Sequence, residues 1–192
     1  VAGGDRSYGD VVAQLRGYKG LRWPGFGNHV LGLRVSGGWA RGAGADAYHF
    51  EVGGASGAGV PLEVGALGES LFFPVRGYGT AQRFGRYAWS ATAEYRFPLL
   101  MVARGPGLLP LHLDWISGSL FLDAGNAWGP DLEARGSAYR NPARDALVGG
   151  GGELTARVLP LWFASMDLRL GVAAPLVEGD GLRVYLRLGS SF

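Results

Sequence analysis

One arginine stands in a setting where its chemistry would matter. Arg76 belongs to Val75-Arg76-Gly77-Tyr78, inside a long glycine-bearing stretch, residues 55–85, with no regular hydrophobic pattern. A loop arginine ordinarily points to water, and the plainest reading of Arg76 is a solvated side chain. Folded inward, it would need a carboxylate partner, because a buried charge without one is costly. Its planar fork suits two parallel hydrogen bonds to a carboxylate. Two carboxylates further along, Glu94 and Asp123, fall on the polar phase of alternating segments.

Other candidate groups carry less. His29, His49 and His112 are the only histidines. His49-Phe50-Glu51 and His112-Leu113-Asp114 each place two possible ligands on one strand face, but two ligands do not make a metal site. Gly53-Gly54-Ala55-Ser56-Gly57-Ala58-Gly59 lacks the Gly-Lys-Ser/Thr end and the helix of a phosphate-binding loop, so it reads as a turn. No Gly-x-Ser-x-Gly elbow occurs, and no carboxylate pair is placed for acid–base work. The expectation is a protein without a catalytic centre, cofactor or metal.

The elements that position these residues are strands. Glycine, 35 of 192 residues, interrupts nearly every helical window. Period-two alternation is clear instead. Leu182, Val184, Leu186 and Leu188 alternate with Arg183, Tyr185, Arg187 and Gly189; Met166, Leu168, Leu170 and Val172 with Asp167, Arg169 and Gly171; Trp89, Ala91, Ala93, Tyr95 and Phe97 with Ser90, Thr92, Glu94 and Arg96. The pattern predicts about eight strands, near 8–19, 28–41, 47–54, 86–99, 113–128, 146–158, 161–174 and 181–192. Tight links are expected at Leu159-Pro160 and Glu178–Gly181, and long loops at 55–85 and 129–145.

Composition narrows the class. Charged residues are 18 % and hydrophobic residues 47 %, so the chain is neither disordered nor strongly charged. A net charge of +2 with no basic cluster gives no nucleic-acid footprint. Without cysteine there are no disulfides or thiolate sites. No apolar run approaches the roughly 18 residues of a transmembrane helix, so a membrane would be crossed by strands. Polar phases rich in arginine face nearly uniform apolar phases, as a wet lumen and a lipid-facing wall require. Aromatic residues near strand ends (Trp39, Trp89, Tyr95, Phe97, Trp128, Trp162, Phe192) resemble interfacial girdles. A soluble β-sandwich also alternates and stays open as a rival.

Three motifs, in order, resemble the Omp85 superfamily (surface antigen D15, BamA-like). Val75-Arg76-Gly77-Tyr78 is similar to the motif on that family's lumenal loop, although the upstream Gly-Gly pair is replaced by Gly68-Glu69-Ser70. Glu94-Tyr95-Arg96-Phe97-Pro98-Leu99 is similar to the strand after the loop. Phe121-Leu122-Asp123-Ala124-Gly125-Asn126-Ala127-Trp128 is similar to the family's FxDxGNxW strand.

The resemblance implies an all-β fold: an antiparallel transmembrane β-barrel whose long loop folds into the lumen. Such barrels have about sixteen strands, so 1–192 would be the C-terminal half of one barrel domain, without the N-terminal strands or periplasmic domains. Val1-Ala2-Gly3-Gly4, with no signal-like segment, fits a fragment boundary. Arg76 is then expected to pair with Asp123, with Glu94 nearby, while Gly77 allows a tight backbone and Tyr78 packs on the wall. Gly189 and the final strand would form one side of a lateral seam, and Phe192 a C-terminal signal.

The implied place is the bacterial outer membrane. The implied partners are outer-membrane lipid, unfolded outer-membrane or secreted polypeptides, and periplasmic accessory proteins. The implied role is insertion or translocation of polypeptides. A passive pore, with lumenal Arg34, Arg157, Arg169, Arg183 and Arg187 favouring anions, and a soluble structural barrel are the alternatives.

Overall fold

The computed structural model describes residues 8–23, 27–42, 50–54, 59–62, 73–105, 107, 110–129, 141–160, 165–179 and 181–189. The strands are β1 (Tyr8–Leu21), β2 (His29–Gly42), β3 (Phe50–Val52), β4 (Gly59–Leu62), β5 (Arg83–Gly85), β6 (Tyr87–Arg104), β7 (Leu111–Trp128), β8 (Leu147–Pro160), β9 (Met166–Pro175) and β10 (Arg183–Gly189). The main sheet has the order β1-β2-β6-β7-β8-β9-β10-β4, and β3 pairs with β5 in a separate ribbon. Every pairing is antiparallel. The sheet is an open meander: β1 is one edge, and short β4 lies along β10 at the other.

The alternation fixes which side is which, and the sheet is inside out relative to a soluble protein. On β2, Leu31, Leu33, Val35 and Trp39 point outward and are between 41 % and 54 % exposed, while Ser36 on the inner phase is 1 % exposed. Leu120 and Leu122 of β7, Leu154 of β8, Leu170 and Val172 of β9 and Val184 of β10 continue the exposed apolar wall. Ser90, Thr92, Ser119, Asp123, Glu153, Asp167 and Arg187 are buried on the opposite face. In water an apolar surface of this extent would drive aggregation. Against hydrocarbon it is the matched surface. The walls β1, β2, β6, β7 and β8 have 14 or 18 residues each. That exceeds the roughly 9–11 that a tilted strand needs to cross a bilayer.

Three expectations change. The segment 47–54 is not a wall strand: only Phe50–Val52 is extended, and it pairs with β5 while β2 pairs directly with β6. Its apolar phase points inward, where Phe50 and Val52 join Phe73 and Val75 against Ala40, Ala88 and Ala127 of the wall. Periodicity identified an extended segment but not the face its apolar side would seek. The insertion therefore spans the whole interval between β2 and β6. Leu159-Pro160 is not a turn, because β8 runs through Pro160 and pairs there with Leu111. Third, β6 does not stop at Leu99. Its register slips between Pro98 and Leu100, and it continues to Arg104, beyond its last β2 partner at Arg96. A bulge absorbs a proline that cannot donate to the ladder. Trp162, His49 and Phe192 lie outside the described residues.

Candidate functional site

The inner wall is built to receive Arg76. On β7, Asp123 stands opposite Thr92 of β6 and Gly149 of β8. One step further along the same face, Phe121 pairs with Glu94 and Gly151; one more, Ser119 pairs with Arg96 and Glu153. Three carboxylates, Glu94, Asp123 and Glu153, thus come from three adjacent strands on one face. The glycines between them leave room above the sheet. A Cβ at Gly149 would lie 1.9 Å from the Arg76 carbonyl oxygen. Gly77 has φ of 98°, and a Cβ there would lie 2.8 Å from the Ala174 carbonyl, so only glycine lets the backbone turn this close to the wall.

Arg76 fills that space. Its Nε and Nη2 donate to Asp123 Oδ2 and Oδ1 at 2.6 and 2.9 Å, and its backbone N–H donates to Oδ2 at 3.0 Å. Nη1 donates to Glu153 Oε1 at 3.1 Å and lies 3.6 Å from Glu94 Oε2. The guanidinium carbon sits 3.4 Å over the Phe121 ring, a cation–π contact. Arg76 is 5 % exposed and Asp123 1 %. Burial by itself would lower the guanidinium pKa, but the Asp123 charge and its hydrogen bonds outweigh it, and the group is held well above its ordinary value.

The neighbours of Arg76 are tied down as well. The Tyr78 hydroxyl donates to the Val148 carbonyl at 2.8 Å and also lies against Val177. Arg183 Nε donates to the Gly77 carbonyl at 3.1 Å. Val75 is fully buried and forms an isolated bridge with Gly54. Gly125 faces it: a Cβ at that position would lie 2.9 Å from Val75 Cγ2. Arg83 of β5 pairs with Glu178 at 2.8 Å, fixing the far end of the insertion to the β9–β10 turn.

Other motif residues have simpler places. Arg96 Nε donates to Glu94 Oε1 at 2.6 Å on the inner face. On the outer face Tyr95 stacks with His29, whose Nδ1 is 2.7 Å from the Tyr95 hydroxyl, and Trp23 and Phe97 complete an aromatic group. A Cβ at Gly27 would lie 3.3 Å from Pro98. Trp128 stacks on Tyr87 at 5.8 Å. Gly189 pairs with Asp167 of β9 and Gly59 of β4, so the outer edge of β10 carries β4 over Leu186–Gly189.

Glu153 was not singled out from sequence, yet it gathers the site. Its Oε1 accepts from Arg76, from Arg187 Nη2 at 2.6 Å and from the Tyr185 hydroxyl at 2.5 Å. The available signal was a lone carboxylate ending the run Gly149–Gly152 on a polar phase. Among the described residues no group of three or more His, Cys, Asp or Glu could hold a metal ion.

An antiparallel sheet with a lipid-compatible exterior, a polar interior and an arginine loop docked on inner carboxylates defines the wall of an outer-membrane β-barrel. Residues 1–185 match the family described as the Omp85 superfamily domain, and the chain belongs to that superfamily. The family's members are outer-membrane β-barrel proteins that insert or translocate polypeptides, not enzymes. No curated protein sequence matches the chain.

Proposed function

We propose that this chain supplies part of a barrel wall, the C-terminal strands of a larger barrel, that inserts outer-membrane proteins or passes polypeptides across the outer membrane. The docked Arg76 loop would hold the lumen in its working shape. The observation that supports this reading is the buried Arg76–Asp123 pair, with its two-pronged hydrogen bonding on the inner face. In the working barrel, unfolded outer-membrane or secreted polypeptides are the clients. Their strands would add to the edge of β10, with Gly189 at the seam, by backbone pairing. On this view β4 occupies that edge when no client does.

The test uses the full-length gene product in liposomes. Client insertion or translocation is followed beside ion conductance, for the parent protein and Arg76→Ala. Loss of client handling with retention of a heat-modifiable folded band is expected. Steady conductance that is unchanged by Arg76→Ala, with no client handling in either protein, would favour the passive-pore reading instead.

A further inference from the structure

The inner face next to the docked loop holds a cavity whose lining includes six arginines, Arg16, Arg34, Arg76, Arg96, Arg169 and Arg187, and one carboxylate, Glu94. Asp123, Glu153 and Asp167 are buried on the same face but do not line the cavity. Asp123 is engaged by Arg76, Glu153 by Arg76 and Arg187, and Asp167 by Arg157 and Arg169. Even with those carboxylates and Arg157 included, cations outnumber anions among the described residues of this wall. Arg34 lies in the field of Arg76 and Arg16 as well as of Asp123 and Glu94, and Arg169 in that of Arg187 and Arg96 as well as of Glu153 and Asp167. Arg187 is 8 % exposed, and its buried Nε–H has no acceptor. Like charges gathered in a confined, partly dry space repel more strongly than on an open surface. A buried donor without an acceptor adds its own desolvation cost. Both deficits are met by one added anion.

We infer that this cavity binds the carboxylate side chain of an acidic polypeptide segment in the lumen, between Arg34 on β2 and the Arg169–Arg187 pair on β9 and β10. The inference rests on the polypeptide-handling function proposed above and names a chemical preference within it. The same wall shows how carboxylates are held. Asp123 lies in the fork of Arg76, and Asp167 receives Arg157 Nε and Nη2 at 2.9 and 3.3 Å. Arg34, whose Nη2 donates to Thr92 Oγ1 at 3.2 Å, and Arg169, whose Nη2 lies 3.8 Å from Asp167 Oδ2, carry the same planar fork beside those contacts.

The test uses the full-length protein reconstituted in phosphatidylcholine liposomes and two fluorescent extended peptides. One carries a central pair of glutamates; its twin carries glutamines. Fluorescence anisotropy should show the acidic peptide binding about ten-fold tighter, the scale of one charge-assisted hydrogen-bonded contact. Arg34→Gln with Arg169→Gln should remove most of that difference and leave the glutamine peptide's affinity unchanged. Both variants are checked for the folded, heat-modifiable band, and Arg34→Gln alone serves if the pair does not fold. Equal affinity for the two peptides overturns the carboxylate site while leaving polypeptide handling intact. Failure of both peptides to bind, in liposomes that still process a client, does the same. Failure of binding and of client handling together removes both proposals. Inorganic phosphate is the remaining arm. If it binds in the cavity while the acidic peptide shows no preference, the site takes a free anion and the polypeptide occupant is overturned.

Discussion

The wall has two regions made by the same alternation and held in different ways. Across β6 to β10 the inner phase is covered by the returning loop, and Asp123, Glu153, Asp167, Ser90 and Thr92 are buried there. Across β1 and β2 the cover is thinner: Val12 packs against the hydrophobic cluster that holds Phe50 and Phe73, while Val11, Leu15 and Tyr18 are at least 56 % exposed. Its inner side chains make short-range contacts, Gln14 Nε2 to Ser36 Oγ at 2.9 Å and Arg16 Nε to Gln14 Oε1 at 2.7 Å. The β1–β2 pair depends on its unbroken ladder from Tyr8↔Gly42 to Leu21↔His29. Alternation alone makes a wall, and a site appears only where the loop brings a charge back to it. Substitutions in the two regions should therefore differ sharply.

The largest effect is expected from Asp123→Arg. It places a second cation against Arg76 in a buried site, and breaking a buried pair costs about 3–5 kcal/mol. The temperature at which the compact gel band of the full-length protein is lost should fall markedly. Combining it with Arg76→Asp should recover part of that fall. If the double variant recovers nothing, the pair is not what separates the two regions.

Next comes Glu153→Gln, which keeps the volume and removes the charge that Arg76, Arg187 and Tyr185 share. Loss of charge-assisted bonds of this kind costs about 1.5–3 kcal/mol. The folded band should persist at ordinary temperature and melt earlier. A melting temperature equal to the parent's would mean that Asp123 alone anchors the loop.

A smaller and purely steric effect is expected at Gly149. A methyl group in Gly149→Ala meets the Arg76 carbonyl oxygen, a collision the backbone must relieve by shifting the loop. Overpacking of this order costs roughly 1–3 kcal/mol. Protease cleavage near Arg76 should become faster although every charged partner is still present. Unchanged cleavage would show that the loop is held by its ion pairs with slack to spare.

How much of this could be read beforehand depended on what each residue's position requires. The wall strands follow from side-chain phase, which local sequence carries. Arg76 and Asp123 could be connected because one lies in a motif and the other on a polar phase. Glu153 shares the polar phase, but no motif linked it to Arg76. Its role comes from the register that sets it opposite Ser119 and Gly171, and a slip of one residue would turn it to lipid. Phe50 and Val52 misled for the converse reason. Their alternation is real, but their apolar side faces the loop core rather than the membrane. The continuation of β6 past Pro98 needed the partner strand β7, whose pairing resumes at Leu100↔Ile116.

The smallest effect separates the regions most cleanly, because it repeats one substitution on the other side. Gly17 lies on β1 opposite Leu33, and a Cβ built there meets nothing within 4 Å. Gly17→Ala should therefore change the melting temperature little, within about 0.5 kcal/mol of stability. It can even gain slightly, since alanine has less backbone freedom to lose on folding. Neither protease cleavage near Arg76 nor client handling should move. The contrast with Gly149→Ala is the informative quantity: equal chemistry, with Gly17 on the outward phase beside Leu33 and Gly149 on the inner phase under a loop carbonyl. Were Gly17→Ala as damaging as Gly149→Ala, the outward face of β1 would have to pack against protein in the working barrel. The two regions would then differ by what covers them rather than by whether anything does.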